Sequence, residues 1–151
     1  MKLINFDDFL KLNINKKMIC AIGEFDGIHL AHLDLINKVL ELKKEDNLAC
    51  IITFDPHPLL VLRKDITNYL LTTLDEKYHF FDNYYYNNNK LDYLIIIPIS
   101  YAFSNLKKEE FITNYLSKLN IDSIICGSDF SFGYNGFGTP NDLIKSDLFN
   151  T

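Results

Sequence analysis

The segment Gly23-Glu24-Phe25-Asp26-Gly27-Ile28-His29-Leu30-Ala31-His32 holds the densest chemistry in the sequence. Gly23 and Gly27 permit tight turns, and a helical pattern follows at once. The start of that helix can therefore offer free N–H groups and its positive dipole end to a phosphate. His29 and His32, three apart, share one face of the first helical turn. Two imidazoles beside an anion site can donate hydrogen bonds to charge growing on a phosphorus and its leaving group. The same spacing admits two other readings: both histidines as structural groups, or the pair joined by His57 as ligands of a metal such as zinc. The glycines and the strand-to-helix setting favour phosphate chemistry.

The elements that must position this segment are legible as alternating patterns. Apolar, β-rich runs at 18–22, 49–54, 91–97 and 123–126 read as strands buried on both faces of a parallel sheet. Helical periodicity occupies 33–44, 75–86 and 107–119. Such alternation predicts an α/β fold, a doubly wound parallel sheet that binds ligands outside the carboxyl ends of its strands. The patch at 84–89, YYYNNN, reads as a frayed helix end and its loop, without chemistry. Residues 127–141, GSDFSFGYNGFGTPN, gather four of the six glycines and read as a long mobile loop. Another helix begins over 142–149. A parallel sheet stopping there is expected to be C-terminally incomplete, because that helix would lead back to a further strand.

Composition bounds the function classes. A chain of 151 residues, 48% hydrophobic with nine Tyr and twelve Phe, predicts one globular domain over 1–151 and excludes general disorder. With 20 Asp+Glu against 15 Lys+Arg, and Arg63 the only arginine, coating of a nucleic-acid backbone is not expected. The longest apolar run, 94–99, is far too short to span a membrane, and acids interrupt the N-terminal segment where a secretory signal needs apolar residues. Cys20, Cys50 and Cys126 are odd in number and far apart, which argues against a disulfide framework and for the cytoplasm. Cys20 and Cys126 are expected to be small buried hydrophobes. Glu109 and Glu110, near a helix start, are expected to serve the helix dipole.

The decapeptide resembles the G-x-F-D-G-x-H-x-G-H signature of bacterial FAD synthetases, the bifunctional riboflavin kinase/FMN adenylyltransferases, in their N-terminal adenylyltransferase module. Three further segments follow in family order. Thr53-Phe54-Asp55-Pro56-His57-Pro58 is similar to T-F-D-P-H-P. Phe103-Ser104 with Glu109-Glu110-Phe111-Ile112 is similar to F-S-x-x-x-x-E-E-F. Gly127-Ser128-Asp129-Phe130-Ser131-Phe132-Gly133 resembles G-x-D-F-x-F-G. The resemblance implies a Rossmann-like domain of the nucleotidyltransferase type. It would transfer AMP from ATP, with Mg2+, to the phosphate of FMN, giving FAD and pyrophosphate. By resemblance, His29 and His32 would contact the ATP phosphates and stabilise the transition state. Gly23, Phe25, Asp26 and Gly27 would shape the nucleotide site, and Asp55, Pro56, His57, Pro58, Gly127, Asp129 and Phe130 would flank the flavin. Pro56 and Pro58 also read as a stiff turn ending the second strand, and Phe130 and Phe132 as simple packing.

The sequence departs from the pattern at Ala31, where the motif has glycine, and at Ser131, Gly136 and Thr139, where the family carries arginines and an acid. It also stops before the family's S-S-T-x-I-R segment and riboflavin kinase domain. Two alternatives therefore stand beside the transferase. One is a catalytically impaired remnant that binds flavin or adenine nucleotide, and the other is one part of a split synthetase. A nucleotidyltransferase acting on a smaller phosphorylated substrate is a third. An incomplete sheet would expose an edge for self-association or for a partner chain supplying the missing elements.

Overall fold

Side chains of a parallel strand point alternately to two faces, so a strand covered on both sides must be apolar throughout. The computed structural model, which describes residues 1–62 and 70–150 and so leaves Arg63 outside the described residues, has this arrangement. In chain order the elements are β1 (Lys2–Asn5), α1 (Phe6–Lys11), β2 (Met18–Ile22), α2 (Leu30–Leu42), β3 (Leu48–Asp55), α3 (Pro58–Leu62) and α4 (Leu74–Asp82). There follow β4 (Tyr85–Tyr86), β5 (Asn89–Lys90), β6 (Tyr93–Pro98), α5 (Tyr101–Ser104), α6 (Lys108–Asn114), β7 (Ile121–Ile125) and α7 (Pro140–Lys145). Five strands form a parallel sheet in the order β1-β6-β3-β2-β7.

Every residue of β2 is buried. Cys20 and Ile22 join Cys50, Ile52, Ile95 and Phe111 in the core on one face. Ile19 and Ala21 join Ile36, Val39, Leu40, Ile51 and Phe81 on the other. From β2 the chain winds one way to β3 and β6, then returns to place β7 on the other side of β2. That reversal is a topological switch point, and the loops after β2 and β7 leave the sheet side by side there.

Several expectations are corrected. The edge strand β1 has no apolar run to announce it, since its residues are mostly exposed. The helix expected over 33–44 begins at Leu30, and the one expected over 107–119 ends at Asn114 and continues as a 3-10 turn, Leu116–Lys118. Residues 84–89 are not a frayed helix: β4 and β5 pair as an antiparallel hairpin. Asn87 and Asn88, with φ of 50° and 63°, supply the two left-handed positions that a two-residue turn of this hand needs. Nor is 127–141 an unanchored loop. Phe132 is buried and exchanges two backbone hydrogen bonds with Gly138, at 3.1 and 2.7 Å. Gly133, at φ +74°, lies so close to Lys108 that a Cβ would fall 2.8 Å from the Lys108 nitrogen. Beyond α7, Asn150 lies parallel to β7, its carbonyl accepting from Ile124 N–H at 2.7 Å and its N–H donating to Asp122 at 2.9 Å. Cys20 and Cys50 are fully buried, whereas Cys126 is only half-buried. Among the described residues no helix is long and apolar enough to cross a membrane.

Candidate functional site

The turn from β2 into α2 is held from beneath. Gly23 N–H donates to the Ile52 carbonyl at 3.1 Å, extending the sheet's hydrogen bonding by one residue. Gly27 then takes φ +73°, where a side chain would be strained. Phe25 is fully buried at φ +51°, its ring 5.1 Å from that of His32 and edge-on to Phe81 at 5.9 Å. This aromatic post fixes His32, whose ring stacks on His29 at 3.7 Å and 21°. His29 occupies the N-cap of α2, yet its side chain caps nothing. By contrast, Thr73 and Glu76 close the first turn of α4, and Thr139 N–H donates to Asp142 at the start of α7. The uncapped start of α2 is thus left to offer its N–H groups outward.

Burial pushes the His32 imidazole below its ordinary pKa, helped by the nearby His29 and Lys77 and opposed by Asp129 and Asp26. Its Nδ1 atom is buried without a hydrogen-bond partner among the described residues. A buried ring nitrogen without a partner, beside a second imidazole and an uncapped helix, is an arrangement completed by an anionic ligand.

Behind the histidines lies a charged group assembled from three elements. Lys77 of α4 is buried and donates to the Glu24 backbone carbonyl at 2.8 Å. Its pKa is lowered by burial, against the pull of Glu24, Asp26 and Asp55. The Glu24 carboxyl faces Nε2 of His57 at 3.9 Å. Burial raises it to about 8, opposed by Lys77 and reinforced by Asp26. His57 is lowered in turn by its burial, with Asp26 acting the other way and Lys77 adding to it.

The site opens into a cavity of about 1100 Å³ at the carboxyl ends of β2, β3, β6 and β7. Its lining includes Gly23, Glu24, His29, Ala31 and His32 together with a set of aromatic residues. Phe111 packs edge-on to Phe103 at 5.8 Å and lies 6.2 Å from Phe54 and 5.3 Å from Phe132, against which Phe130 stacks at 5.7 Å. A volume at the upper end of small-molecule sites, lined by both polar groups and flat apolar rings, suits a large ligand or two smaller ones.

Of the residues singled out from the sequence, Gly23, Phe25, His29, His32, His57, Pro58, Gly127, Asp129 and Phe130 line this cavity. Asp26, Gly27, Asp55 and Pro56 do not. Asp26 is turned away because its carboxylate is already engaged, accepting from the N–H groups of Leu71 and Thr72 at 2.9 Å each and from Thr72 Oγ1 at 3.1 Å. Gly27 N–H donates to the same Thr72 Oγ1 at 3.0 Å. These two residues anchor a neighbouring loop and shape the site from behind. The Asp55 carbonyl accepts Ile99 N–H at 3.2 Å and so ties β3 to the end of β6. Phe130 and Phe132 both line the cavity and both pack on the core, Phe132 buried and Phe130 half-exposed. Glu110 serves the start of α6, accepting Lys107 N–H at 2.8 Å. Among the described residues no group of three His, Cys, Asp or Glu is placed to hold a metal ion.

Glu24 of the cavity lining and Lys77 behind it are not among the residues singled out from the sequence. Glu24 stood in the motif as a spacer. Lys77 had a usable signal: it falls on the stripe of α4 that carries Leu74 and Phe81, a charge where the helical period demands an apolar residue.

The FAD synthetase family profile matches residues 11–148. The chain is similar to the bifunctional riboflavin kinase/FMN adenylyltransferase of Buchnera aphidicola subsp. Schizaphis graminum, 38% identical over 135 residues, covering 88% of this chain and 41% of that protein. It is also similar to an FAD synthetase of Listeria monocytogenes, 33% identical over 132 residues, covering 87% of this chain and 51% of that protein. The chain thus spans about half or less of the length of these relatives. Among solved structures it resembles one titled a macrolide-efflux protein from Streptococcus pneumoniae. The TM-score is 0.69 with 24% identity, over 87% of this chain and 42% of that one, a likeness of fold.

Proposed function

Since the chain belongs to the FAD synthetase family, we propose that it carries out FMN adenylyl transfer: an FMN phosphate oxygen bonds to the α-phosphorus of ATP and pyrophosphate leaves, giving FAD. The observation that carries this reading is one cavity lined both by the stacked His29 and His32 and by a set of aromatic rings that includes Phe130.

Such a transfer needs two anions held in line and the growing charge neutralised. His32, kept neutral by burial at pH 7, can donate from an imidazole N–H to a phosphate and gains a proton more readily once an anion is beside it. The open N-terminus of α2 supplies further donors at the same corner. ATP would enter as its Mg2+ complex, the ion being part of the substrate and neutralising the departing pyrophosphate. The flat flavin ring would lie against the aromatic wall, leaving its phosphate to reach the histidine corner.

The test is chromatographic detection of FAD after incubating the purified chain with ATP, Mg2+ and FMN, beside a His29→Ala/His32→Ala control. Histidine-dependent FAD is the expected result. A folded wild-type chain that binds FMN and forms no FAD would overturn the assignment.

A further inference from the structure

Glu24 has no task in the reaction outlined above, yet its surroundings are those of a ligand-binding group. Its side chain is about a third exposed and lines the cavity where β2 ends, while its Oε2 atom is buried with no hydrogen-bond partner among the described residues. Ionised, the buried Oε2 would lack a hydrogen-bond donor among the described residues. A neutral carboxyl there carries an O–H that needs an acceptor. Lys77 does not answer it, because the ammonium is committed to the Glu24 main-chain carbonyl.

We propose that Glu24 works as a protonated carboxylic acid that donates its O–H to a phosphate oxygen of a ligand in this cavity. The inference deepens the adenylyltransferase reading and rests on it for the presence of a phosphate ligand. Ionisation reverses the interaction, replacing a donor with a like charge facing the phosphate. The described groups facing Glu24 are Lys77 from α4, Asp26 from its own loop and His57 beyond β3. Burial keeps His57, and His32 further along the cavity, below their ordinary range, so neither changes charge above pH 7. Lys77, also lowered by burial, is the described group near Glu24 whose titration could imitate the effect at alkaline pH. With the carboxyl at about 8, its protonated fraction falls about tenfold between pH 7 and pH 9.

The experiment measures FMN binding by flavin fluorescence and ATP binding by calorimetry, from pH 7 to pH 9, for wild type, Glu24→Gln and Glu24→Ala, each checked for folding by circular dichroism. Riboflavin, which has no phosphate, is the control. Wild type should lose about tenfold in affinity for the ligand whose phosphate meets Glu24, and the comparison of FMN with ATP identifies that ligand. Glu24→Gln, a donor at every pH, should bind as wild type does at pH 7 and show no loss. Glu24→Ala should be weak throughout, and riboflavin indifferent to pH. Retention of the alkaline loss in Glu24→Gln would assign it to another group such as Lys77 and overturn the proposal. So would an equal loss for riboflavin, no pH dependence in wild type, or no binding of FMN or ATP at pH 7. Failure of the transferase reading looks different: no FAD forms, while the pH-dependent binding and its abolition in Glu24→Gln persist.

Discussion

The two ends of the parallel sheet treat charge in opposite ways. At the amino ends of the sheet several charged groups are paired. Lys43 lies 2.8 Å from Asp92, whose other task is to accept Ala49 N–H at 2.9 Å. Lys17 pairs with Asp122 at 2.8 Å, and the N-terminal ammonium with Asp82 at 2.6 Å. At the carboxyl ends Glu24 Oε2 and His32 Nδ1 are buried without hydrogen-bond partners among the described residues, and Phe25 and Ile28 hold left-handed backbone, which side chains seldom adopt. Buried polar groups are normally satisfied, so the end that leaves them open is built for a ligand, and the end that closes them is built for stability.

That contrast breaks first at the histidines. Replacing His29 and His32 together by alanine should lower FAD formation by about two to four orders of magnitude, the range for removing positioned proton donors and oxyanion partners. Neither imidazole contributes a side-chain cap to α2, so the melting temperature should stay close to that of wild type. A double variant that unfolds would mean that the corner supports the fold. Asp92→Ala is the opposite experiment. It strips Lys43 and Ala49 N–H of an acceptor at the amino end, and should cost about 1–3 kcal/mol in denaturant unfolding while leaving the rate per folded molecule unchanged.

Asp26 belongs to both regimes, a satisfied charge at the open end. Burial works against its charged form, but hydrogen bonds from Leu71 and Thr72 hold the carboxyl below the ordinary carboxylate range. A depressed carboxyl contributes stability above its unfolded pKa and loses it as pH falls through the folded value. Wild type should therefore lose this contribution on acidification below about pH 4. Asp26→Asn should be about 1 kcal/mol less stable at neutral pH and lack that part of the acid transition, as thermal melts across pH would reveal.

How far all this was legible depends on whether a residue obeys its local period. β2, β3 and the histidine turn could be read because burial on both faces forces unbroken apolar runs, and glycines mark the turn between them. β1 could not, because an exposed edge strand of four residues leaves no pattern. The 84–89 hairpin was hidden by low complexity, although an Asn-Asn pair is what its two left-handed residues ask for. Asp26 was read as a nucleotide-site residue because its type and place fit, but its acceptors are taken by backbone from a loop 45 residues away, a partnership no local pattern reveals. Lys77 and Glu24 show the reverse: a charge on an apolar helical stripe and a carboxylate between the glycines of the turn were both anomalies, and the two meet beside the cavity.

Ala31 offers the smallest effect and the sharpest separation of the two regimes. It stands in the first turn of α2, exposed and on the cavity lining, beside the N–H groups that face outward there. A methyl at that point holds a bound phosphate away from the backbone, and hydrogen-bond strength falls steeply once donor and acceptor separate. Glycine in its place removes the obstruction and, within a helix, costs up to about 1 kcal/mol relative to alanine, less near the terminus. Ala31→Gly should therefore be slightly less stable yet bind ATP about threefold tighter, equivalent to roughly 0.6 kcal/mol. Calorimetry and a denaturant curve on the same preparation would measure both. Because helix propensity and ligand access pull in opposite directions here, a change of the same sign in both would show that the first turn of α2 serves the fold rather than the phosphate.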